Sequence, residues 1–423
     1  MKTDQTYRKY QRFIQTLLAL SGCSYMPTRF GKIAYYWSVF SLLVAIMYTM
    51  LSLHASYIHR HNLAIMMKYI GVATSALGTL LKVAKFMTNR DSMTLYHRTI
   101  NDLFESEYMG NEKIQAIMFS SLPPITIIAY IYSMFILALM VTYVMPAYSA
   151  IFRGLYHWHL TTDYILPVTK GYGYFWTVPD SFWYHFHLLY ETVELLLSCL
   201  VACGVDTAFG FYAYQFAAIL DAMYFRLTNP LPTENFSDTL RTSVAKHQKL
   251  LLCRDILEHM YAPIVLWHIV SNAILLCALI YEVSSQPLSE FKIVYLCVSA
   301  SYAMIKFLQT FSYAWHGTIL TDAGEKLRKG LYFGEWHKSR LDRHVRTNVI
   351  LMMMQKPMTI HAYFASVDMI LFTNVSTSTY ISFFFKYFKL NYFKSYNIII
   401  SQLVLNSSKN KFQKRVQIKC KIN

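Results

Sequence analysis

The stretch Leu122–Met145, LPPITIIAYIYSMFILALMVTYVM, decides the fold of this 423-residue chain. Its 24 residues include no Asp, Glu, Lys, Arg or His. A helix of about 20 apolar residues matches the thickness of the hydrocarbon core of a bilayer. The pair Pro123 and Pro124 suits the first turn of such a helix, where the missing N–H costs nothing. The sequence therefore predicts that this stretch crosses a membrane.

Six further stretches have the length and hydropathy of membrane spans. They are about Ala34–Ser56, about Met66–Phe86, a run from near His185 past Cys203, about Met260–Val283, about Phe291–Phe311 and about Thr359–Phe385. Only 15% of the chain is charged, too little to cover a soluble globule of this size. The shorter apolar run Phe13–Gly22 indicates an interfacial segment and not a signal peptide. We expect an all-α polytopic membrane protein with seven transmembrane helices.

The net charge of +16 raises the possibility of nucleic-acid binding. The basic residues lie between apolar runs and not along one stripe, so we expect no nucleic-acid partner. No glycine-rich phosphate loop or nucleophile-elbow motif occurs, and we expect neither an enzyme nor a cofactor. The pairs His157, His159 and His185, His187 lack Cys or carboxylate residues at ligand spacing, so we predict an aromatic outer loop and no metal site.

The distribution of Lys and Arg sets the orientation of the spans. The loops on one side, with the first 33 residues, hold 24 of them, and the opposite loops hold three. Because cytoplasmic loops are enriched in Lys and Arg, the N-terminus is predicted to be cytoplasmic. Seven spans then place the C-terminus outside the cell. The segment 389–423 is an atypical basic tail on that outer side.

Apolar residues continue at helical spacing beyond the fourth span and before the fifth, over about 215–260. Such amphipathic faces need partners. The faces either pack against each other within one chain or form a bundle shared between subunits, and the sequence leaves both possibilities open. Pro357 breaks the helix ladder, so Arg346–Gln355 should form a separate short helix before the seventh span.

Ionisable residues inside spans are costly and are candidates for function. The fourth span contains Glu191, Glu194 and Asp206. Two readings remain open for the two glutamates, a direct role with a ligand or ion and simple access to water near the outer end. Lys82 lies near the end of the second span, where its side chain is expected to reach the interface.

The seventh span combines hydroxyl side chains with aromatic ones. Phe372, Ser376, Thr379 and Phe383 share one helical face at 4-3-4 spacing. In a single-chain bundle these hydroxyls bond back to the helix or join helices. In an oligomer the same face lines a water-filled path that an aromatic ring closes by dewetting. We name it the pore face, with Phe383 as the candidate gate.

Several motifs, in order, resemble the insect odorant receptor family. They are Leu17–Pro27 (LLALSGCSYMP), Phe311–Leu320 (FSYAWHGTIL), Tyr332–Trp336 (YFGEW) and Met352–Pro357 (MMMQKP), with Tyr380 after them. The second resembles the family's aromatic-Tyr-x-x-x-Gly segment and the fourth its Gln-Lys-Pro signature. The resemblance covers residues 1 to about 388. The compact link between spans four and five is unlike the longer co-receptor subunit of the family.

The resemblance implies a ligand-tuning subunit that forms a non-selective cation channel with a co-receptor. Residues 1–388 would be one seven-helix unit with a broken seventh helix, and extensions over about 215–260 and 312–357 would form its anchor. A small volatile odorant would bind among spans two, three, four and six. The expected location is the cell membrane of sensory neuron dendrites, in contact with lipid. The implied pocket residues are Tyr69, Met140, Tyr143, Tyr190, Glu194, Tyr295 and Tyr302.

Three alternatives share part of this pattern. A gustatory-type chemoreceptor channel has a similar architecture and different ligands. A G-protein-coupled receptor has seven spans but an external N-terminus, which the charge count opposes. A transporter would show inverted repeats of broken spans, and the sequence shows none.

Overall fold

In the computed structural model the chain is a bundle of long helices. The structure describes residues 2–25, 31–109, 112–157, 166–178, 182–229, 236–285, 291–333, 343–354, 358–363 and 365–374. Its helices are α1 Lys2–Leu20, α2 Gly31–Ile58, α3 Leu63–Thr88, α4 Arg90–Tyr108, α5 Glu112–Ser120, α6 Leu122–His157, α7 Phe182–Thr228, α8 Phe236–Ser285, α9 Phe291–Phe333 and α10 Arg343–Met354. Two short antiparallel strands, β1 His361–Ala362 and β2 Ala365–Ser366, follow them.

Four described helical stretches are long and apolar enough to cross a membrane. They are Ala34–Ile58, Ile65–Thr88, Glu112–Arg153 and Phe182–Thr228. They contain the first four predicted spans. The fifth and sixth predicted spans lie inside α8 and α9, helices of 50 and 43 residues. Both helices continue without interruption into the predicted cytoplasmic extensions.

Helix α7 lies at the centre of the bundle. Every residue from Cys203 to Leu220 is buried, on all faces of the helix. Such a helix needs neighbours all around it. Helices α1, α5, α6 and α9 pack directly on α7 and supply that cover. The polar residues of the fourth span therefore face other helices and not lipid.

Helix α1 differs from the short interfacial segment predicted at Phe13–Gly22. It begins at Lys2, and its buried stripe of Tyr7, Tyr10, Ile14 and Leu18 packs into the main core. The ring of Tyr10 lies 5.6 Å from that of Phe211 on α7. The two tyrosines lengthen the apolar stripe by two turns, which the short apolar run alone did not indicate. The amphipathic helix thus covers α7 within the bundle.

The cytoplasmic extensions pack against each other within the chain. Leu240, Leu250 and Leu257 of α8 are buried in the core that also contains the inner half of α7. Glu107 of α4 is 1% exposed and pairs with Arg226 of α7 at 3.1 Å and with Lys246 of α8. These contacts pack parts of the extensions against each other within one chain, and the bundle shared between subunits stays a prediction.

A neutral histidine completes this cytoplasmic packing. His247 of α8 is 6% exposed. Burial, with a smaller contribution from Arg254, lowers the pKa of His247 to about 4. The ring is therefore uncharged at cytoplasmic pH, and it packs without the desolvation cost that an imidazolium would carry.

The approach to the seventh span differs from the prediction that a helix begins near Thr359. The short helix before Pro357 is confirmed as α10, but the described residues 358–363 and 365–368 form β1, β2 and the bends beside them, not a helix. Helical backbone begins at Met369, because Asp368 Oδ1 accepts the Leu371 N–H at 2.8 Å and caps it. The predicted break at Pro357 and the pore-face residues Ser376, Thr379 and Phe383 lie outside the described residues, as does the tail 389–423.

The predicted orientation can be checked by glycosylation. Asn235–Phe236–Ser237 is an acceptor sequence before α8, on the side predicted to be cytoplasmic, and Asn235 lies outside the described residues. We expect no glycan on Asn235, since glycan transfer occurs on the luminal side. As a matched control, His159→Asn creates an acceptor in the predicted outer loop and should be modified. An endoglycosidase shift caused by Asn235 would reverse the orientation.

Candidate functional site

A cavity of about 220 Å³ lies among α3, α6, α7 and α9. These helices correspond to predicted spans two, three, four and six. Tyr48 of α2 and Trp267 of α8 also line it, and both helices lay outside the pocket that the resemblance implied. The loop 166–178 closes its outer end with Pro167 and Lys170. Most of the lining surface is apolar, with polar side chains among it, the usual composition of a small-molecule site.

The outer loop is fixed in place by Glu191 of α7. This carboxylate is fully buried and accepts hydrogen bonds from the backbone N–H of Val168 at 3.0 Å and of Thr169 at 3.4 Å. The hydroxyls of Thr169 and Tyr174 also bind it. Tyr69 of α3 donates to the Thr169 carbonyl at 2.8 Å. Glu191 is therefore surrounded by loop donors, and its role is to hold the cover of the cavity.

The inner end of the cavity is a polar floor centred on Asp206. Lys82 Nζ lies 2.6 Å from Asp206 Oδ1, and both side chains are almost completely buried. Tyr313 donates to the same oxygen at 2.6 Å. Tyr132 and Gln309 donate to Asp206 Oδ2, each at 2.5 Å. Four side chains from α3, α6 and α9 thus converge on one carboxylate of α7.

Four of the seven predicted pocket residues line the cavity: Met140, Tyr143, Glu194 and Tyr302. Glu194 is 2% exposed and accepts a hydrogen bond from Ser198 at 2.7 Å, while its second oxygen has no partner among the described residues. Tyr302 shares a 2.7 Å hydrogen bond with Ser75 of α3. A ligand contact by any of the four stays a prediction.

Of the other three predicted residues, Tyr69 and Tyr190 do not line the cavity, and the third lies outside the described side chains. Tyr69 binds the outer loop, as above. Tyr190 is half-buried and donates to the Val44 carbonyl of α2 at 3.3 Å, so it packs behind the site. The side chain of Tyr295 lies outside the described side chains. Sequence position gave the depth of these tyrosines in the membrane but not the direction in which each ring points.

The prediction for Lys82 was wrong. Its side chain does not extend to the membrane interface, and it is 3% exposed because Asp206 provides a buried partner. Sequence reasoning also missed His268, Lys306 and Gln309 as lining residues. A usable signal was present, since Lys82, Asp206 and Lys306 are ionisable groups at similar depth in three spans.

The described start of the seventh span contacts α9 just beyond the cavity floor. The ring of Phe372 lies 4.9 Å from that of Phe307 and 5.5 Å from that of Phe311. The backbone N–H of Met369 donates to the Thr318 hydroxyl at 2.9 Å. Helix α9 therefore touches both the cavity and the element that carries the predicted pore face.

Comparison with known proteins gives a consistent picture. The profile of the 7tm odorant receptor family matches residues 62–380. Odorant receptor 94a of Drosophila melanogaster is 18% identical over 242 residues, which are 56% of this chain and 62% of that protein. The match thus spans less than two thirds of the length of this curated relative.

Two solved structures share the fold. The insect olfactory receptor OR5 from Machilis hrabei superposes with a TM-score of 0.73 at 15% identity, over 89% of this chain and 97% of that chain. The same receptor in complex with eugenol superposes with a TM-score of 0.71 at 16% identity, over 92% of this chain and 100% of that chain. At this identity the likeness establishes the seven-helix all-α fold of a membrane protein.

Proposed function

This chain belongs to the 7tm odorant receptor family, and on that premise we propose that it is the odorant-binding subunit of a ligand-gated, non-selective cation channel. Its partner is a co-receptor subunit, and its place is the dendritic membrane of sensory neurons. The observation that carries the proposal is the covered cavity in the outer half of the bundle, joined through α9 to the start of the seventh span.

The size and lining of the cavity support a small odorant. A volume of about 220 Å³ is below the roughly 300–1,000 Å³ of drug-sized sites. Ile136 and Leu139 of α6 and Val72 of α3 offer apolar contact in the middle of the cavity. The comparison structure in complex with eugenol shows that a relative of this fold takes an aromatic odorant. We infer that odorant enters beneath the loop held by Glu191.

The seventh span supplies conduction in this proposal. Its hydroxyl-rich face is costly in lipid, and a central path shared by several subunits satisfies it. Residues 1–388 act as one channel subunit, and the helical extensions over about 215–260 and 312–357 anchor it to its neighbours. The contacts of Phe372 with α9 support a route from the cavity to this span.

Electrophysiology tests the proposal directly. Expressed alone, the chain should give little or no odorant-evoked current. With a co-receptor it should give a cation current that persists in excised patches without nucleotide, since opening needs only ligand binding energy. The co-receptor expressed alone, with the same odorants, is the control. A response that needs no co-receptor and stops when G-protein nucleotide is withdrawn would overturn the channel assignment.

A further inference from the structure

The cavity floor contains two lysines and one carboxylate. Lys82 reaches it from α3 and Lys306 from α9, and both line the cavity. Asp206 accepts four hydrogen bonds, two on each oxygen, from Lys82, Tyr313, Tyr132 and Gln309. A carboxylate has about four lone-pair sites, so Asp206 is saturated. Its charge balances that of the Lys82 ammonium, and it has no lone pair left to accept a hydrogen bond from a second ammonium.

Among the described residues, no carboxylate forms an ion pair with Lys306. Its ammonium makes a long 3.4 Å hydrogen bond to Gln309 Oε1 and lies 5.8 Å from the centre of the Tyr302 ring. Across the described ranges, no carboxylate oxygen lies within 4 Å of Lys306 Nζ. An ionisable group inside a membrane span is expected to have a partner, and its absence marks a site. The ammonium lines the cavity, where a ligand provides that partner.

Glu194 does not compensate Lys306, although both line the cavity. On α7, Glu194 lies twelve positions before Asp206, which is more than three turns towards the outer end. Lys306 lies one turn from Gln309, whose amide binds Asp206. Glu194 instead accepts from Ser198, and Ser198 accepts from Thr79 at 3.3 Å. The cavity thus has an acidic group at its outer end and, near its floor, a cation that no described carboxylate contacts.

We propose that the ligand of this cavity is a small organic acid whose carboxylate binds Lys306 Nζ. The inference rests on the proposed odorant-binding function and names the chemical class of the odorant. The hydrocarbon part of the acid extends from the floor along Ile136, Leu139 and Met140 of α6, which line the cavity. With the acid bound, two ammonium groups face two carboxylates, and hydrogen bonds between charged groups fix the head of the ligand.

A matched series of hexyl compounds tests the class of ligand. Hexanoic acid, hexanal, 1-hexanol and hexylamine are compared on the receptor co-expressed with its co-receptor, at neutral pH. Hexanoate should act at a concentration about tenfold lower than the neutral congeners, as expected for one charged hydrogen bond in a buried site. A ranking led by the alcohol or the aldehyde overturns the proposal. A ranking led by hexylamine overturns it too and assigns the head group to Glu194.

Variants of Lys306 locate the contact. Lys306→Met should raise the half-maximal concentration of hexanoate about tenfold and change that of 1-hexanol less than threefold. Lys306→Arg keeps the charge and should keep the acid preference. If the ratio of the half-maximal concentrations of hexanoate and 1-hexanol is the same in Lys306→Met as in the wild type, the assignment of the contact to Lys306 is overturned. Surface biotinylation verifies that each variant reaches the membrane. If a variant does not reach it, the ranking of the four hexyl compounds on the wild-type receptor still tests the proposal.

Ligand binding can be separated from channel function. Thermal unfolding of the purified full chain in detergent, with each congener in turn, reports binding without any current. A larger rise in Tm with hexanoate than with 1-hexanol supports the acid site even if no current is found, in which case only the channel assignment fails. Currents with neutral congeners and no Tm response to hexanoate refute the acid site and leave the channel assignment in place.

Discussion

Asp206→Asn is expected to lower the free energy of unfolding by about 3–5 kcal/mol, because it leaves the Lys82 ammonium buried without a charge partner. That loss is a large part of the stability of most proteins. The variant should reach the cell surface in strongly reduced amount, and its Tm in detergent should fall by roughly 5 °C or more. Surface biotinylation and thermal unfolding of the full chain measure the two effects.

Two comparison variants separate buried charge from a general loss of hydrogen bonds. Asp255 pairs with Arg254 at 2.7 Å, but its side chain is 63% exposed. Asp255→Asn should therefore lower the free energy of unfolding by at most about 1 kcal/mol. Adding Lys82→Met to Asp206→Asn removes the uncompensated ammonium and should recover part of the lost stability. A single Asp206→Asn variant that unfolds at the wild-type temperature would show that the floor is not held by this pair.

Most of the helical architecture follows from residue patterns along the chain. The run Leu122–Met145 is long and uncharged, and it becomes one continuous helix in the structure. The extension after the fourth span also follows from its spacing, because apolar residues that continue at helical period continue the helix. Local capping was harder to predict, since Asp368 ends the turn before the seventh span through a single side-chain hydrogen bond.

The candidate site follows less completely from the sequence, and the reason is geometrical. Hydropathy gives the depth of a residue in a span but not the rotation of the helix about its axis. Hydropathy also does not give the direction of a side chain, since Tyr190 and Glu194 lie one turn apart on α7, yet Glu194 lines the cavity and the Tyr190 hydroxyl reaches the Val44 carbonyl of α2. Lys82 and Asp206 are 124 positions apart, and only the packing of α3 on α7 brings them to 2.6 Å. Pairings of this kind depend on the whole bundle.

Helix α9 connects the cavity floor to the seventh span through two residues one turn apart. Tyr313 donates to Asp206 in the floor, while Gly317 lies against the backbone of Val367. Residues four apart lie on the same face of a helix. These are the Tyr and Gly of the aromatic-Tyr-x-x-x-Gly segment, so that motif places a floor contact and a close approach to the seventh span in adjacent turns.

Gly317→Ala is therefore expected to uncouple ligand binding from opening. A Cβ at this position would lie 1.9 Å from the Val367 carbonyl oxygen, a backbone atom that cannot rotate away, so the turn before Met369 must move. Overpacking of this kind costs about 1–3 kcal/mol. We expect that cost to fall on the open state, so the equilibrium between closed and open shifts towards closed by about 5- to 150-fold. Odorant-evoked current should fall accordingly, while the Tm rise caused by odorant on the purified chain persists.

Gly204→Ala is the matched control, because its Cβ would lie 3.2 Å from the backbone of Leu17 on α1, where a shift of a few tenths of an ångström relieves the contact. Thr318→Val tests the same junction independently, since it removes the acceptor of the Met369 N–H and should also reduce evoked current. Patch recordings on cells with equal surface amounts of each variant give the comparison. Evoked currents of Gly317→Ala equal to those of Gly204→Ala would show that opening does not pass through this contact.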